Sequence, residues 1–349
     1  MTLEKPVRRR LDFKNGRVDL SHGAGGRAMG QLIEDVFLDA FDNEWLRGAN
    51  DQSAFDVAAG RMVMTTDAYV VSPIFFPGGD IGSLAGNGTI NDIAMAGARP
   101  LYLSASFVIE EGFPLADLKR IAVSMGEAAR VAGAPIITGD TKVVERGKAD
   151  KVFISTAGVG IAPAGLNLSS EAARPDDLVI LSGTVGDHGV AVMSKRENLE
   201  FETEILSDSA PLHGLVAEMV AAAAVSLRVM RDPTRGGLAA TLNELAHQSK
   251  VGFSIEETAI PVRPEVAAAC EFLGLDPLNV ANEGKLVAIA APECAQELLA
   301  AMRSHPLGAE AAIIGRVVED DNHFVEMRTA FGGGRIVDWL AGEQLPRIC

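Results

Sequence analysis

The sequence predicts an α/β (α+β) protein of two domains, on three observations. Its 349 residues exceed one compact core of the usual size, at roughly 150 residues per domain. Its core stock is aliphatic: 48% of residues are hydrophobic but only 5% aromatic, and 36 are glycine, which suits Ala, Val, Ile and Leu packed on closely approaching backbones. Helical and strand periodicities alternate along both halves, the pattern of sheets covered by helices.

The elements follow in order. Residues 27–41 read as an amphipathic helix, with Leu32, Ile33, Val36, Phe37, Ala40 and Phe41 on one stripe and acids opposite. Residues 61–66 and 101–109 read as strands, separated by a glycine-rich apolar helix from about 81 to 98. Residues 114–131 form another helix: its stripe is Leu118, Ile121, Ala122, Met125 and Ala129, Pro114 suits the first turn and Gly133 the stop. Strands at 134–138 and 151–161 complete the first half. Around 162–177 the periodicity lapses into Pro, Ser and Asn, the natural place for a domain boundary. The second half restarts with a strand at 177–182, helices at 212–225 and 236–248, and strands at 251–255, 286–290 and 313–318, with a helix between the last two. The expected division is a glycine loop and helix at 1–44, a first domain at 45–165, a second at 166–340, and an exposed, flexible tail at 341–349.

A formal charge of −16, relieved only by the short Arg8–Arg10 run, would repel nucleic acid and anionic membranes. Three cysteines, Cys270, Cys294 and Cys349, are odd in number and lack CxxC spacing, which argues against a disulfide framework or a zinc site and fits a reducing cytoplasm. Residues 1–20 carry charges and no apolar targeting core, and the stretch 215–225 is interrupted by Glu218 and too short to span a bilayer.

The nucleotide motifs need sorting. Gly23-Ala-Gly25-Gly-Arg-Ala28 matches the dinucleotide fingerprint GxGxxA, yet its preceding strand would be only residues 18–20 and no prompt second strand follows, so a βαβ unit is not expected. Its glycines offer N–H groups to a phosphate ahead of a helix, or simply cap that helix. A P-loop is absent, because Gly284-Lys285 is followed by Leu and lacks the upstream glycine.

Five aspartates stand out instead: Asp51, Asp67, Asp92, Asp140 and Asp232. Asp67 and Asp140 are expected at strand ends beside loops, where ligands usually bind. Asp92 lies in an almost wholly small or apolar run, 86–98, where a carboxylate must be paired, hydrogen-bonded or metal-bound. Dispersed aspartates that converge in space can hold Mg-ATP, since Mg²⁺ takes a few carboxylates and keeps waters; capping or turn formation is the commoner duty of any single one. Lys142, after Gly139-Asp140-Thr141, could neutralise phosphate, serve as a base or be a solvated surface lysine. Glu283-Gly284-Lys285 sets another acid and base before a strand. Asp187-His188-Gly189 and Arg231-Asp232-Pro-Thr-Arg235-Gly-Gly237 read as polar, glycine-containing turns before helices, able to cap the helix, the commoner duty, or to meet an anion. His22 and His188 have no partner spacing that suggests a metal. Cys270 and Cys294 read as buried thiols in helical segments, whereas Cys349 is a reactive thiol on the terminal arm, able to carry a bound group.

Taken together and in order, certain segments resemble the HypE family of hydrogenase maturation proteins, within the wider superfamily of aminoimidazole ribonucleotide synthetase and selenophosphate synthetase. They are Ser21-His-Gly-Ala-Gly-Gly26, residues 65–79, Asn91-Asp-Ile-Ala-Met-Ala-Gly-Ala-Arg-Pro100, Thr138-Gly-Asp-Thr-Lys-Val-Val144, Gly183-Thr-Val-Gly-Asp-His-Gly189, Arg231-Asp-Pro-Thr-Arg-Gly-Gly237, Ala281-Asn-Glu-Gly-Lys285 and Pro346-Arg-Ile-Cys349. The resemblance covers almost the whole chain. It implies an N-terminal α/β domain that dimerises into a shared β-barrel, ATP near that interface, and a C-terminal α+β sheet-and-helix domain. It also implies a reaction: HypF carbamoylates the terminal cysteine, ATP drives dehydration to a thiocyanate, and the cyano group passes to HypC–HypD for the iron of a nickel–iron hydrogenase.

Carried onto this sequence, the resemblance makes Cys349 the carrier and Lys142 and Glu283 candidates for proton removal. It makes Asp67, Asp92, Asn91, Asp140, Gly25, Gly26 and Asp232 candidates for ATP, and Asp51, Asp67, Asp92 and Asp140 for Mg²⁺. Relatives in the superfamily often pair two acids where this chain has Asp51-Gln52, so the second position brings no charge. Two other readings stand beside this one: a synthetase of a phosphorylated small molecule, which needs no terminal thiol, and a scaffold that binds HypF or HypC–HypD without ATP hydrolysis.

Overall fold

The computed structural model describes residues 10–24, 26–48, 52–199, 203–339, 345 and 347–349. The opening helix forms as expected, running through Arg27–Leu32, a π-helical Ile33–Leu38 and Asp39–Phe41. Among the described residues no strand precedes it; Leu20–Gly23 is a 3₁₀ turn capped by Asp19.

A four-stranded sheet organises the first half, in the order Arg61–Tyr69, Val152–Ala162, Arg99–Glu110, Ile136–Val144. Only the last pair is parallel, and its crossover is the helix Leu115–Val131. The helix Ile81–Met95 lies on one face of the sheet, with Leu115–Val131 packed against it. The opposite face is open. Strand alternation sends Met62, Met64, Thr66 and Ala68 outward, beside Ile161, Val159, Ala157 and Ser155 of the paired strand, and Met64 is 74% exposed.

In the second half seven strands run in the order Gly334–Ile336, Val325–Arg328, Gly252–Glu256, Ala312–Val318, Leu178–Leu181, Val287–Ala290, Leu227–Arg231. The central strands Leu178–Leu181 and Val287–Ala290 are buried on both faces. Val287 and Ile289 pack toward the helix Gly237–Ser249, while Ala288 and Ala290 pack toward His213–Ala223 and Ala295–Ser304. Each sheet is open in the single chain. Among the described residues no helix is long and apolar enough to cross a membrane.

The structure departs from the sequence reading in instructive places. Asp67 and Asp140 do not end their strands: pairing of Asp67 with Thr156 and of Asp140 with Ser106 carries both strands several residues further. Polar residues there are tolerated because the neighbouring strand satisfies the backbone. Asp187, His188 and Gly189 open the helix Asp187–Arg196 and are not a turn ahead of it. The strand Leu227–Arg231 was not expected, since five residues directly after a helix carry no separate periodicity, and Gly334–Ile336 is an exposed edge with no apolar signal. Cys270 is buried, but Cys294 sits half-buried in the 3₁₀ turn Pro292–Cys294, its sulfur accepting from Ser226 Oγ at 3.0 Å.

Candidate active site

A cleft opens where the two halves meet. Asp67, Ala68, Tyr69, Gly88 and Asp92 from the first half face Asp232, Thr234, Arg235 and Glu283 from the second, around Cys349. Each side chain arrives for a local reason. Alternation along Arg61–Tyr69 turns Thr65, Asp67 and Tyr69 toward the helix Ile81–Met95, where Gly88 and Asp92 share a face one turn apart. Thr65 Oγ1 donates to Asp92 Oδ2 at 2.7 Å, so the carboxylate in the apolar run is hydrogen-bonded, as burial requires. Gly88 is obligatory here, because a Cβ would stand 2.4 Å from the Tyr69 hydroxyl.

Asp232 follows the strand Leu227–Arg231, in a loop whose Gly236 (φ +76°) and Gly237 (φ +62°) make the left-handed turn into Gly237–Ser249. Glu283 is clamped through its backbone. Asp208 accepts from Glu283 N at 3.0 Å, Gly284 N at 3.3 Å and Lys285 Nζ at 3.0 Å. Asn91 Nδ2 donates to Glu283 O at 3.2 Å and to Ala210 O at 3.1 Å, and Asn91 Oδ1 accepts from Leu212 N at 2.8 Å. The Glu283 side chain is buried, and its Oε1 has no hydrogen-bond partner among the described residues.

Four carboxyls and one guanidinium share this cleft, and the balance decides their ionisation. Burial, reinforced by neighbouring acids, pushes Asp232 up to about 7 and Glu283 well above the usual carboxylate range. Burial and Asp67 outweigh the Thr65 bond and raise Asp92 as well. Burial, with Glu283 adjacent, also raises the Cys349 thiol far above an ordinary cysteine. Asp92, Asp232 and Glu283 therefore hold their protons more tightly than exposed carboxyls, and the thiol is not a thiolate. Its donors are carboxylate oxygens, the ligand type of a hard cation, yet no three His, Cys, Asp or Glu among the described residues come together closely enough to hold a metal ion.

Of the residues singled out from sequence, the fold brings together Asp67, Asp92, Asp232, Glu283 and Cys349. It puts Asn91 behind the cleft, 1% exposed, with its amide committed to backbone groups that tie the two halves together. Asp140 and Lys142 lie elsewhere, bonded to each other at 2.6 and 2.8 Å on the open sheet face, and that bond lowers the Asp140 pKa. Gly26 is the N-cap of the opening helix; Gly25 and Asp51 lie outside the described residues.

The exposed arm expected at the end of the chain is corrected for its last two residues. Ile348 is 2% exposed and Cys349 half-buried, because an apolar side chain enters the core while Val70 N donates to Cys349 O and Ser72 N to Arg347 O, each at 3.1 Å. Sequence reasoning named Arg235 only within a turn able to cap a helix or meet an anion, set His188 aside, and missed Thr65, Tyr69 and Asp208. No spacing signal marks them: each acts through contacts made more than a dozen residues away or with backbone.

The AIR synthase related protein, N-terminal domain, matches residues 49–162, and the AIR synthase related protein, C-terminal domain, matches residues 174–328. The chain is 76% identical over 345 residues to the carbamoyl dehydratase HypE of Rhizobium leguminosarum bv. viciae, covering 99% of each. A solved hydrogenase maturation protein HypE in complex with ATP shares 50% identity at a TM-score of 0.91, over 95% of this chain and 99% of that one. A HypE–HypF complex is similar at a TM-score of 0.78 and 50% identity, over 88% of this chain and 99% of that one. Two matched domains, a near full-length likeness and a shared fold place the chain in the carbamoyl dehydratase HypE family, within the AIR synthase related proteins.

Proposed function

We propose that this chain uses ATP to dehydrate an S-carbamoyl group on Cys349 to a thiocyanate, in the cytoplasm, as the source of the cyanide ligand of a nickel–iron hydrogenase. The observation that carries this reading is the seating of Cys349, the last residue of the sequence, among Asp67, Asp92, Asp232 and Glu283. An amide oxygen is a poor leaving group. Its attack on the ATP γ-phosphate, releasing ADP, makes it a good one; the C–O bond then breaks, phosphate departs and the nitrogen gives up both protons as the nitrile forms. Glu283 lies beside the sulfur that bears the group and is placed to take a proton from nitrogen once it is ionised. Its raised pKa makes it a stronger base than an ordinary carboxylate. Burial around the thiol keeps water from the activated intermediate.

Asp67 and Asp92 are the residues of this cleft that would hold Mg²⁺; bound with the nucleotide, it would supply positive charge against phosphates and carboxylates. HypF is the proposed carbamoyl donor and HypC–HypD the proposed cyanide acceptor. The solved HypE–HypF complex of a relative supports the first.

The test reads the C-terminal peptide by mass after incubation with HypF and carbamoyl phosphate, before and after Mg-ATP. One carbamoyl group should appear on Cys349 and lose one water only when ATP is added. An unmodified Cys349 alongside ATP turnover on a free small molecule would sink the reading.

The open sheet face supports a homodimer in which two four-stranded sheets close a shared barrel. Met62, Met64, Val159 and Ile161 present an apolar surface that a second copy would bury, and Asp140 and Lys142 border it. Met64→Glu should turn a dimer into a monomer in light scattering, since an unpaired charge in such an interface costs about a hundredfold or more in affinity. A dimer unaffected by this change places the interface elsewhere.

A further inference from the structure

We propose that His188 and Arg196 form a latch that seats the end of the chain by its backbone, holding Cys349 in place for dehydration. The inference rests on the carrier reading above. His188 is fully buried in the first turn of the helix Asp187–Arg196, with Nε2 2.8 Å from Ile348 O and Nδ1 2.8 Å from Ser207 Oγ. A carbonyl only accepts, so Nε2 carries the proton and Nδ1 accepts the Ser207 hydroxyl proton. Ser207 Oγ in turn accepts from Ser209 N at 3.1 Å, and Ser209 Oγ accepts from Asn87 Nδ2 at 3.1 Å. These bonds anchor the Ser207 hydroxyl, which keeps its proton to donate to Nδ1. Burial holds the His188 pKa below its ordinary value, keeping the ring neutral and Nδ1 free to accept.

Arg196, two turns further along the same helix, donates from Nη2 to Arg347 O at 2.9 Å and from Nε to Ser72 O at 2.8 Å. With the strand-like bonds from Val70 N and Ser72 N, the backbone oxygens of Arg347, Ile348 and Cys349 are all held. None of these bonds reads a tail side chain. They fix where the backbone ends, and so how far Cys349 reaches toward Glu283. Each bond is individually modest, so the seat can be left and re-entered. In the seated state Cys349 is half-buried beside the carboxyls of the cleft.

His188→Ala, His188→Gln and Arg196→Ala separate this role from general packing. The first readout needs no catalysis: iodoacetamide labelling of Cys349, read on the C-terminal peptide by mass, should be about tenfold faster in His188→Ala and Arg196→Ala, the equivalent of one lost buried hydrogen bond. His188→Gln, whose amide can still donate to Ile348 O, should return the rate toward that of the unaltered chain. The second readout splits the reaction. Carbamoylation by HypF should be unchanged or faster in the Ala variants, while single-turnover conversion to thiocyanate slows about tenfold. Should His188→Ala not fold, Arg196→Ala, at a half-buried position, decides alone. Labelling rates equal to that of the unaltered chain in folded variants would overturn the latch. An unaltered chain that HypF never carbamoylates would overturn the carrier reading instead, with the labelling result left to judge the seat.

Discussion

Glu283→Gln should still accept a carbamoyl group on Cys349 yet convert it to thiocyanate roughly 10²–10⁴-fold more slowly, the usual range for removing a positioned acid or base. Gln fills the same volume but cannot take a proton from nitrogen. The backbone of residue 283 is held by Asp208 and Asn91, so the exchange leaves the loop in place. The variant should also be more thermostable, because Glu283 is a buried carboxyl with an unpartnered Oε1 beside other acids, and removing its ionisation relieves that burden. Single-turnover mass analysis of the carbamoylated chain checks the first effect and a melting curve the second. A conversion rate within about threefold of the unaltered chain, far inside the range expected for an acid or base, would remove Glu283 from proton transfer.

Asp232→Asn should show the opposite pulls of stability and nucleotide binding on one carboxyl. Asp232 sits at about 7 in the folded chain against an ordinary value of 3.8, raised by burial and then by Asp92. A raised carboxyl pKa means that the folded chain holds the proton more tightly than the unfolded one. Its contribution to stability is full below the unfolded value and is lost as pH climbs to the folded one. The unaltered chain should thus lose stability between about pH 4 and 7, and Asp232→Asn should decline less steeply, since only Glu283 and Asp92 of this group remain to titrate. Above pH 7 the variant should melt a few degrees higher, at roughly 2–4 °C per kcal/mol for a chain of this size class. Mg-ATP affinity should move the other way: in the unaltered chain it strengthens as pH passes about 7 and Asp232 ionises, and in Asp232→Asn it is weaker and nearly flat. Calorimetric titrations at several pH values decide this. Equal pH slopes in both chains would show that Asp232 does not face the nucleotide's cations.

The amino-acid sequence by itself determined the alternation of helices and strands, because one-sided burial writes periods of 3.6 and 2 directly into residue order. The stripe Leu118, Ile121, Ala122, Met125 and Ala129 is such a record, and these residues are buried in the helix Leu115–Val131. It also made Asp92 conspicuous, since a carboxylate amid small apolar residues needs a partner wherever it ends up. The motif set pointed to Asp67, Asp232, Glu283 and Cys349 as well, without saying that they meet.

Tertiary structure alone decided which residues meet. Asn91 and Glu283 are joined across 192 positions, and His188 and Ile348 across 160, by bonds to backbone carbonyls that every residue type offers alike. Such bonds leave no trace in composition or spacing, which is why the seat of the tail and the clamp on Glu283 were invisible beforehand. Strand pairing likewise separated Asp140 and Lys142 from the cleft: register places them on the open face beside Ser106 and Val108, and register belongs to the sheet as a whole. Periodicity is local and can be read along the chain; convergence is a sum of distant pairings, and only the folded chain performs that sum.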